Sequence, residues 1–406
     1  MNQVVIVGAG QAGCWAAKTL RQYDFTGKVI LLGDEPHPPY DRPPLSKKVL
    51  VGDAEPETTW YLSLDELAGL DIDFRPGLKA VSIDRTAQQL DIEGAAGLSY
   101  DKLIVATGAR PRLLNVPGSE QAPIYYLRGI DDCLALQKAL VPGRRIIVVG
   151  GGLIGLEVAA AARKLGCEAV VMEVAERVLA RVAGPEVSRF VTDMHKGHGV
   201  DVVCGVMPDK IETGAQGCRI ACKDGTLVEG DVIVAGIGVI PNSELASAAG
   251  LACEGGIWVD EFTRTEDANI HAAGDVTNHI NPRLGRRMRL ETWQNAQNQA
   301  IAAAKIICGR EEPYDDTPWG WSDQYDCNLQ MLGIPDSFDD AVMRGNPDDG
   351  AFSLFYLRDG KVNAMAAINA VRDVAVSRRL VASGTLVDAG MLADVEVPMK
   401  QLMSRD

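Results

Sequence analysis

The sequence predicts an α/β fold with two doubly wound parts, followed by an α+β part at the C-terminal end. Two segments carry most of this prediction, because each runs from an apolar strand pattern through G-x-G-x-x-G into a helical pattern, at residues 4–13 and at residues 146–155. A hairpin pattern at residues 351–368 with an Asp-Gly turn, and a helical pattern over residues 371–383, form the third observation. The predicted class is therefore α/β, with two Rossmann-like dinucleotide-binding domains and a C-terminal α+β domain.

The first glycine motif consists of Gly8, Gly10 and Gly13. In such a motif the first glycine permits a tight turn, the second lets the backbone approach a pyrophosphate, and the third allows close packing of helix and strand. The pyrophosphate binds at the free N–H groups of the helix N-terminus. A carboxylate after the next strand, Asp34 or Glu35, can accept a hydrogen bond from the adenosine ribose. The segment predicts one bound dinucleotide.

The second glycine motif consists of Gly150, Gly152 and Gly155. Glu173 ends the following strand, where a carboxylate accepts from a ribose 2′-OH and repels a 2′-phosphate, so NADH is favoured as the ligand. Arg177 and Arg181 follow Glu173 and leave NADPH as an alternative. Because both motifs lie in strand–turn–helix context, we expect two bound dinucleotides, one a flavin and the other a nicotinamide.

Composition restricts the class of protein. The 406 residues carry a formal net charge of −15, which argues against nucleic acid or an anionic membrane as the main partner. The first strand begins near Met1, and the apolar stretch 146–162 contains glycines and Glu157, so neither a signal peptide nor a membrane span is expected. Nine cysteines without C-x-x-C or iron–sulfur spacing predict reduced core thiols, no metal and a cytoplasmic location.

Several segments carry a family resemblance. They are Pro39–Lys47 (PYDRPPLSK), Gly274–Val276 (GDV), Glu291–Gln299 (ETWQNAQNQ) and Trp319–Gln324 (WGWSDQ). Together they resemble the FAD-dependent ferredoxin and rubredoxin reductases of the glutathione-reductase-like superfamily, most of all the NADH:ferredoxin reductase components of bacterial aromatic-ring-hydroxylating dioxygenases. The resemblance covers the chain. It implies a first FAD-binding part at 1–110, an NAD-binding domain at 111–238, a second FAD-binding part at 239–318 and an interface domain at 319–406.

The resemblance also implies roles for individual residues. Lys47 would lie near flavin N5 and pair with Glu157, which would position the nicotinamide amide; these two are the expected catalytic residues. The remaining FAD contacts are expected at Gly8, Gly10, Gly13, Asp34, Glu35, Arg42, Pro43, Thr107, Gly108, Asp275, Glu291, Thr292, Trp293, Trp319 and Trp321. The NAD contacts are expected at Gly150, Gly152, Ile154, Gly155, Glu157, Glu173, Gly236, Ile237 and Gly238. From the residues alone, Lys47 or Glu157 could be solvated, Asp275 a turn cap, and the two tryptophans core residues.

Missing cysteines indicate the electron acceptor. Disulfide reductases of this superfamily carry C-x4-C, and NADH oxidases one cysteine, where this chain has Arg42 to Lys47. Electrons must therefore leave the flavin directly, and a small iron–sulfur protein, a 2Fe–2S ferredoxin, is the expected partner. Rubredoxin or a P450 ferredoxin is the alternative acceptor. An NADH-sensing flavoprotein similar to apoptosis-inducing factor is the alternative of another class, and the chain is expected as monomer or homodimer.

An acidic ferredoxin needs a local basic surface on this acidic protein. The densest cluster is Arg283, Arg286, Arg287 and Arg289, directly before the Glu291 segment. Arg372, Arg378 and Arg379 on the C-terminal helix form a second candidate. Both clusters are equally compatible with ordinary solvated faces.

Overall fold

The computed structural model describes residues 1–214 and 217–403. The chain divides into two compact units. Unit 1 contains Met1–Asp41, Glu57–Arg110 and Val239–Pro318; unit 2 contains Arg42–Pro56, Pro111–Gly238 and the C-terminal part from Trp319. Unit 2 contains both the predicted NAD-binding domain and the predicted interface domain. That these two form separate domains stays a prediction. Residues 404–406 of the predicted interface domain, and 215–216 of the predicted NAD-binding domain, lie outside the described residues.

A parallel five-stranded sheet forms the centre of unit 1. Its strands, in spatial order, are β19 (Ile270–Ala272), β7 (Lys102–Val105), β1 (Gln3–Val7), β2 (Lys28–Leu32) and β3 (Ile72–Arg75). The central strands β7, β1 and β2 are apolar after their first residue because a parallel sheet is covered on both faces. Helices α1 (Gln11–Gln22) and α7 (Trp293–Ile307) pack together through small buried residues, among them Ala16, Ala17 and Ala300. This packing places the first glycine motif and the Thr292 segment in one unit.

One strand of unit 1 differs from the sequence prediction. From the sequence, the short strand-like runs at 72–75, 79–83 and 88–92 together predict a meander, but in the structure the run 72–75 pairs in parallel with β2. The meander consists of β4 (Ala80–Asp84), β5 (Gln89–Ile92) and the unpredicted β6 (Ala95–Ser99). Residues 33–71 supply the long crossover that a parallel neighbour requires, and an alternating pattern does not distinguish these two pairings.

Unit 1 contains further short elements. Their bounds are α2 (Leu64–Gly69), β8 (Ala109–Pro111), β17 (Val239–Pro241), α6 (Glu244–Ala248), β18 (Ile257–Val259), β20 (Thr277–Asn281), β21 (Arg286–Met288) and a 3-10 turn at Pro56–Thr59. Strands β18, β20 and β21 form a small sheet, and β17 pairs with β8.

A second parallel sheet lies in unit 2. Its spatial order is β12 (Val200–Cys204), β11 (Glu168–Glu173), β10 (Arg145–Val149), β16 (Val232–Ala235) and β9 (Ile124–Tyr125). Helix α4 (Leu153–Lys164) follows the second glycine motif as predicted, and α3 (Ile130–Ala139) precedes it. Helix α5 (Pro185–Gly197), which was not predicted, packs on β12. Between β12 and β16 in the chain, a separate antiparallel meander is formed by β13 (Pro208–Gly214), β14 (Gly217–Cys222) and β15 (Leu227–Gly230).

The C-terminal part of unit 2 is an antiparallel sheet with helices. Its strands run in the order β22 (Trp319–Gln324), β23 (Cys327–Leu332), β26 (Lys361–Ile368), β25 (Ala351–Arg358) and β24 (Asp340–Asn346). The predicted hairpin is present as β25 and β26, and the predicted helix as α8 (Val371–Ser383), which ends at Gly384 with a φ of +61°. The short helix α9 (Ala389–Ala393) and a 3-10 turn at Met399–Met403 follow α8 in the chain. Among the described residues, no helix has the length and apolarity needed to cross a lipid bilayer.

Candidate functional site

The first glycine motif has the geometry of a pyrophosphate cradle. A Cβ on Gly8, whose φ is +108°, would lie 2.2 Å from the carbonyl oxygen of Ala106, and a Cβ on Gly13 would lie 1.9 Å from that of Gly8. Gly10 differs, because no heavy atom of residues 1–214 or 217–403 lies within 4 Å of its added Cβ, its chain neighbours aside. It begins α1 without a side-chain cap, so the first N–H groups of the helix face open space. The cradle fits the diphosphate of FAD.

Carboxylates flank the same cradle. Glu35 is half-buried and accepts a hydrogen bond from the Tyr40 hydroxyl, whereas Asp34 is exposed. Tyr40 therefore fixes the orientation of the Glu35 carboxylate, which favours Glu35 over Asp34 for a ribose contact. Asp275 is half-buried in the turn after β19, where the N–H of Gly274 is held by Gln299 Oε1 at 2.8 Å. A carboxylate at the carboxyl end of a parallel strand is placed where such sheets bind ligands.

The segment Thr107–Gly108 is tied to a second loop of unit 1. Thr107 Oγ1 donates to the Asn242 carbonyl at 2.7 Å, and Asn242 Nδ2 donates to the Thr107 carbonyl at 2.9 Å. Gly108 has a φ of +64°, which a residue with a side chain adopts at a cost. The reciprocal bonds fix the backbone directly after β7.

Thr292 begins α7 as predicted. Its hydroxyl accepts from the Asn295 N–H at 3.2 Å, while Glu291 stands before the helix and pairs with Arg289. Trp293 Nε1 donates to Asp41 Oδ1 at 2.9 Å, and the Tyr61 hydroxyl donates to the same oxygen at 2.8 Å. Burial, with the neighbouring Asp41 charge adding to it, raises the pKa of Tyr61. Tyr61 therefore stays a neutral donor that orients Asp41.

The second glycine motif repeats the geometry of the first. A Cβ on Gly150 would lie 2.4 Å from the Gly236 carbonyl oxygen, and one on Gly155 would lie 2.1 Å from that of Gly150. In the part of the chain that the structure describes, no heavy atom beyond the chain neighbours of Gly152 lies within 4 Å of its added Cβ. The nearby Ile154 side chain is 46% exposed. Open space at the N-terminus of α4 therefore fits a second dinucleotide, in the place predicted for NAD.

Backbone hydrogen bonds fix Glu173 at the end of β11. Its carboxylate accepts from the N–H groups of Gly151 at 2.6 Å and Ala175 at 2.8 Å, which leaves further lone pairs for a ribose. Arg177 donates to the Ala183 carbonyl and to Ser188, both at 2.6 Å, whereas Arg181 is exposed. Arg181 is therefore the arginine whose side chain can reach a 2′-phosphate.

The segment Gly236–Ile237–Gly238 follows the strand next to β10. Gly236 lies under Gly150, as the close approach above shows, and Gly238 has a φ of +97° and accepts a hydrogen bond from the Arg112 N–H at 2.9 Å. Ile237 is half-buried between these two glycines.

A buried ion pair joins the two expected catalytic residues within unit 2. Lys47 Nζ lies 2.8 Å from Glu157 Oε2, and the Glu157 side chain is 5% exposed. Ser46 Oγ donates to the same carboxylate oxygen, and Ser322 Oγ donates to Oε1 at 2.5 Å. Lys47, Ser46 and Ser322 together fix the position of the Glu157 carboxylate. Glu157 is not the exposed helix residue that its surroundings in the sequence also allowed.

Proline and backbone contacts make the Lys47 segment rigid. A 3-10 helix at Pro43–Ser46 precedes Lys47, and Arg42 Nη1 donates to the Arg128 carbonyl at 2.6 Å. Cys133 donates its thiol to the Leu45 carbonyl at 3.2 Å, and burial raises the pKa of that thiol to about 11. This cysteine is therefore a protonated core residue and not a redox partner.

Two tryptophans of β22 share one face of the strand. Trp319 and Trp321 stack with ring centroids 5.1 Å apart and planes inclined at 19°, and both are half-buried. The Arg378 guanidinium lies over the Trp319 ring, 4.5 Å from its centroid. Arg378 belongs to α8 and is exposed, as are Arg372 and Arg379.

The other arginine cluster is largely engaged inside unit 1. Arg283 pairs with Asp315 at 2.9 Å, and Arg289 with Glu291 at 2.6 Å. Arg287 donates to the carbonyls of Val259 and Asn278 and lies over the Trp258 ring. Arg286 is exposed, as are Arg283 and Arg289, whereas Arg287 is half-buried. Arg287 is thus a structural residue whose charge reversal would disturb the fold.

Four polar residues around Glu157 were not identified from the sequence. They are Ser46, Ser322, Gln324 and His195. The first three lie inside segments that carried the family resemblance, and the alternation of β22 could have placed Ser322 and Gln324 on the face opposite the tryptophans. His195 lies on the unpredicted helix α5, so no sequence signal connected it with Glu157.

Comparison with known proteins adds an independent line of observation. The profile of the pyridine nucleotide-disulphide oxidoreductase family matches residues 2–300, and the profile of the reductase C-terminal domain matches residues 319–403. A relative from Burkholderia cepacia, the ferredoxin–NAD(+) reductase component of an anthranilate 1,2-dioxygenase system, is 43% identical over 400 residues. That alignment covers 98% of each chain.

Solved structures agree with this chain over nearly all its length. The ferredoxin reductase for the CYP199A2 system from Rhodopseudomonas palustris superposes with a TM-score of 0.96 at 37% identity and covers 99% of both chains. The reductase in a covalent putidaredoxin reductase–putidaredoxin complex gives the same TM-score and identity, covering 99% of this chain and 98% of that one.

Proposed function

The chain belongs to the pyridine nucleotide-disulphide oxidoreductase family, and we propose that it passes electrons from NADH through FAD to a 2Fe–2S ferredoxin of an aromatic-ring-hydroxylating dioxygenase. As a member of that family it is an oxidoreductase that uses FAD and NAD(H). Bound FAD accepts a hydride as a two-electron step and can release electrons singly. The names of the relatives support a ferredoxin as acceptor, because they include a dioxygenase reductase component and a reductase joined to putidaredoxin.

The absence of a redox thiol at the Lys47 segment carries this proposal. Residues 42–56 contain no cysteine, and Cys133, whose thiol contacts this segment, has a pKa raised to about 11. A thiol that is protonated at neutral pH cannot take electrons through the attack of a thiolate. Direct transfer to an external one-electron acceptor is the remaining route.

Glu157 and Lys47 would prepare the nicotinamide end of the second dinucleotide site. A carboxylate has four lone-pair positions, and three donors occupy three of them in the structure. We assign the fourth to the amide N–H of the nicotinamide, because Glu157 follows the second glycine motif on α4. Lys47 supplies a fixed positive charge, which would stabilise the negative charge that develops on the flavin when it is reduced.

Arg378 and the tryptophan pair support electron exit at the C-terminal part of unit 2. Trp319 and Trp321 form a stacked pair, and Arg378 places an exposed positive charge directly over the first ring. An acidic ferredoxin would be steered by this charge and by Arg372 and Arg379 nearby on the helix. The Arg283 cluster offers less, since Arg283 and Arg289 are paired with carboxylates and Arg287 donates to backbone carbonyls.

Anaerobic titration of the purified flavoprotein with NADH tests the overall proposal. We expect one equivalent of NADH to bleach the flavin, and a 2Fe–2S ferredoxin added afterwards to be reduced rapidly. Flavin reduction without transfer to ferredoxin would contradict the proposed acceptor. A purified protein without flavin would contradict the assignment of the first glycine motif.

Single charge reversals distinguish the two docking surfaces. Arg378→Glu should raise the KM for ferredoxin at low salt about tenfold or more, with a smaller effect at high salt, because screening weakens steering. Arg286→Glu, the matched exposed reversal in the other cluster, should change this KM little. NADH oxidation by ferricyanide serves as the control and should be equal in both variants. A larger effect for Arg286→Glu would assign docking to the Arg283 cluster instead.

A further inference from the structure

Glu157 sets the direction of a hydrogen-bond chain that continues beyond Ser322. The carboxylate can only accept, and Ser322 Oγ lies 2.5 Å from its Oε1, so Ser322 must donate its single proton there. Ser322 Oγ can then only accept from its other neighbour, Gln324, whose side-chain amide lies 2.9 Å away. The amide nitrogen of Gln324 must therefore face Ser322.

The same reasoning fixes the next member of the chain. With its nitrogen on Ser322, Gln324 directs Oε1 at His195 Nε2, 2.8 Å away. This oxygen accepts only, so Nε2 must carry a proton. Among the described residues, His195 Nδ1 has no hydrogen-bond partner, as expected for the ring nitrogen that holds the lone pair. Ser322, Gln324 and His195 are each at most 3% exposed, so water does not compete for these bonds.

We propose that His195 and Gln324 are positioning residues for the reductive half-reaction, which direct the Ser322 proton onto Glu157 and so hold its carboxylate oriented toward the nicotinamide. This role rests on the proposed function of Glu157. The chain joins helix α5, strand β22 and helix α4, all within unit 2. A reversed histidine tautomer would turn the Gln324 amide and withdraw the Ser322 proton from Glu157.

The surroundings of His195 favour a single neutral tautomer. Tyr325 meets the His195 ring edge to face, with centroids 5.3 Å apart, and His198 stacks on the other side of Tyr325 at 3.6 Å. Burial lowers the pKa of His195; the bond to Gln324 opposes this effect, and the nearby His198 adds to it. His195 is therefore a fixed donor at neutral pH.

An isosteric change tests the direction of the chain. Gln324→Glu places a carboxylate where the amide stood, so Ser322 and His195 both donate to residue 324 and Glu157 loses a donor. We expect weaker NAD+ binding and flavin reduction by NADH slower by about ten- to a hundredfold, the usual loss for a hydrogen bond to a charged group. The KM for ferredoxin should not change.

Substitution of the histidine separates positioning from packing. His195→Gln keeps an N–H donor near the Nε2 position and should retain most of the reduction rate, whereas His195→Leu removes the donor and should lose about tenfold. If His195 mattered only for packing, the apolar leucine would be tolerated better than the glutamine. Lys196→Gln, an exposed change beside His195 on α5, leaves the chain intact; it is the control and should behave as the wild type.

The decisive measurement is the tautomer of His195 in the flavoprotein labelled with 15N-histidine. The chain has five histidines, and the His195→Gln spectrum identifies the signals of His195. Nε2–H with an unprotonated Nδ1, together with His195→Gln reducing faster than His195→Leu, supports the proposal. Nδ1–H in the wild type, or equal rates in the two variants, overturns it. A failure to reduce ferredoxin would refute the proposed function while leaving the tautomer and NAD+ binding readouts interpretable.

Discussion

A double-mutant cycle across Lys47 and Glu157 tests whether their ion pair stabilises unit 2 as a buried pair. The cycle consists of Lys47→Met, Glu157→Gln and the double variant. Glu157→Gln leaves the Lys47 ammonium beside the Pro43 carbonyl, 3.3 Å away, and places an amide NH2 group among three donors. The double variant removes the uncompensated charge as well. The free energies of unfolding should therefore be strongly non-additive.

Burial determines the size of the expected effect. Removing one partner of a fully buried pair costs about 3–5 kcal/mol. Here the Glu157 side chain is 5% exposed but that of Lys47 is 21% exposed, so the ammonium regains some hydration. We expect about 2–3 kcal/mol for Glu157→Gln and a coupling energy of about 2 kcal/mol across the cycle.

The chain supplies a matched control for this cycle. Lys164 and Asp53 join the same helix and the same segment at 2.6 Å, but their side chains are 60% and 55% exposed. Exposed pairs couple by about 0.2–1 kcal/mol. Urea unfolding of the holoprotein, compared at the transition of unit 2, gives both coupling energies. A Lys47–Glu157 coupling no larger than that of Lys164–Asp53 would refute the reasoning.

Three further predictions concern the dinucleotide sites and acid stability. Gly10→Ala should fold but lose bound FAD, because its Cβ enters the open cradle, whereas Gly8→Ala should disturb folding itself; circular dichroism and flavin content separate the two. Glu173→Gln should lower the NADH-over-NADPH ratio of kcat/KM about tenfold, since the charge that repels a 2′-phosphate is lost; an unchanged ratio would contradict this. Burial, with Arg287 adding to it, lowers the pKa of His279 to about 4, so the unfolded state binds more protons below the ordinary value near 6.5. His279 alone should contribute a fall in stability of up to about 1.4 kcal/mol per pH unit as pH drops from about 6.5 to 4, and His279→Phe should remove this part of the slope in urea titrations.

The predictable parts of this fold are those in which local pattern and tertiary role agree. The two glycine motifs predicted their strands and helices because local close contacts exclude larger side chains at some of the glycines. A Cβ on Gly13, for example, would lie 1.9 Å from the Gly8 carbonyl oxygen. Helix α8 was predicted with its end at Gly384, since a left-handed residue stops a helix. Strand β3 was misplaced because an alternating run carries no information about its partner strand.

The candidate site likewise contains residues that the sequence predicted and residues that it did not. Lys47 and Glu157 were predicted through the family resemblance, and the structure brings them together at 2.8 Å. Ser322 and Gln324 lie in the segment Trp319–Gln324, which carried the family resemblance, but no role was predicted for them. The role of a polar side chain in a strand depends on the residue that it contacts, and the strand sequence does not identify that residue. His195 is 129 residues from Gln324, and no local pattern encodes a contact of that range.

Strand β22 carries an aromatic pair on one face and hydrogen-bonding side chains on the other, and this separation leads to a testable prediction. Trp319 and Trp321 point to one side, with Arg378 over the first ring, while Ser322 and Gln324 point to the other, toward Glu157. If both proposals hold, Gln324→Glu slows flavin reduction by NADH and leaves ferredoxin binding alone, whereas Arg378→Glu does the reverse. The double variant should then show the product of the two separate effects, because the residues share no partner and additivity holds for independent sites. Rapid-mixing measurements of each half-reaction decide this, and a marked departure from the product would mean that the strand couples its two faces.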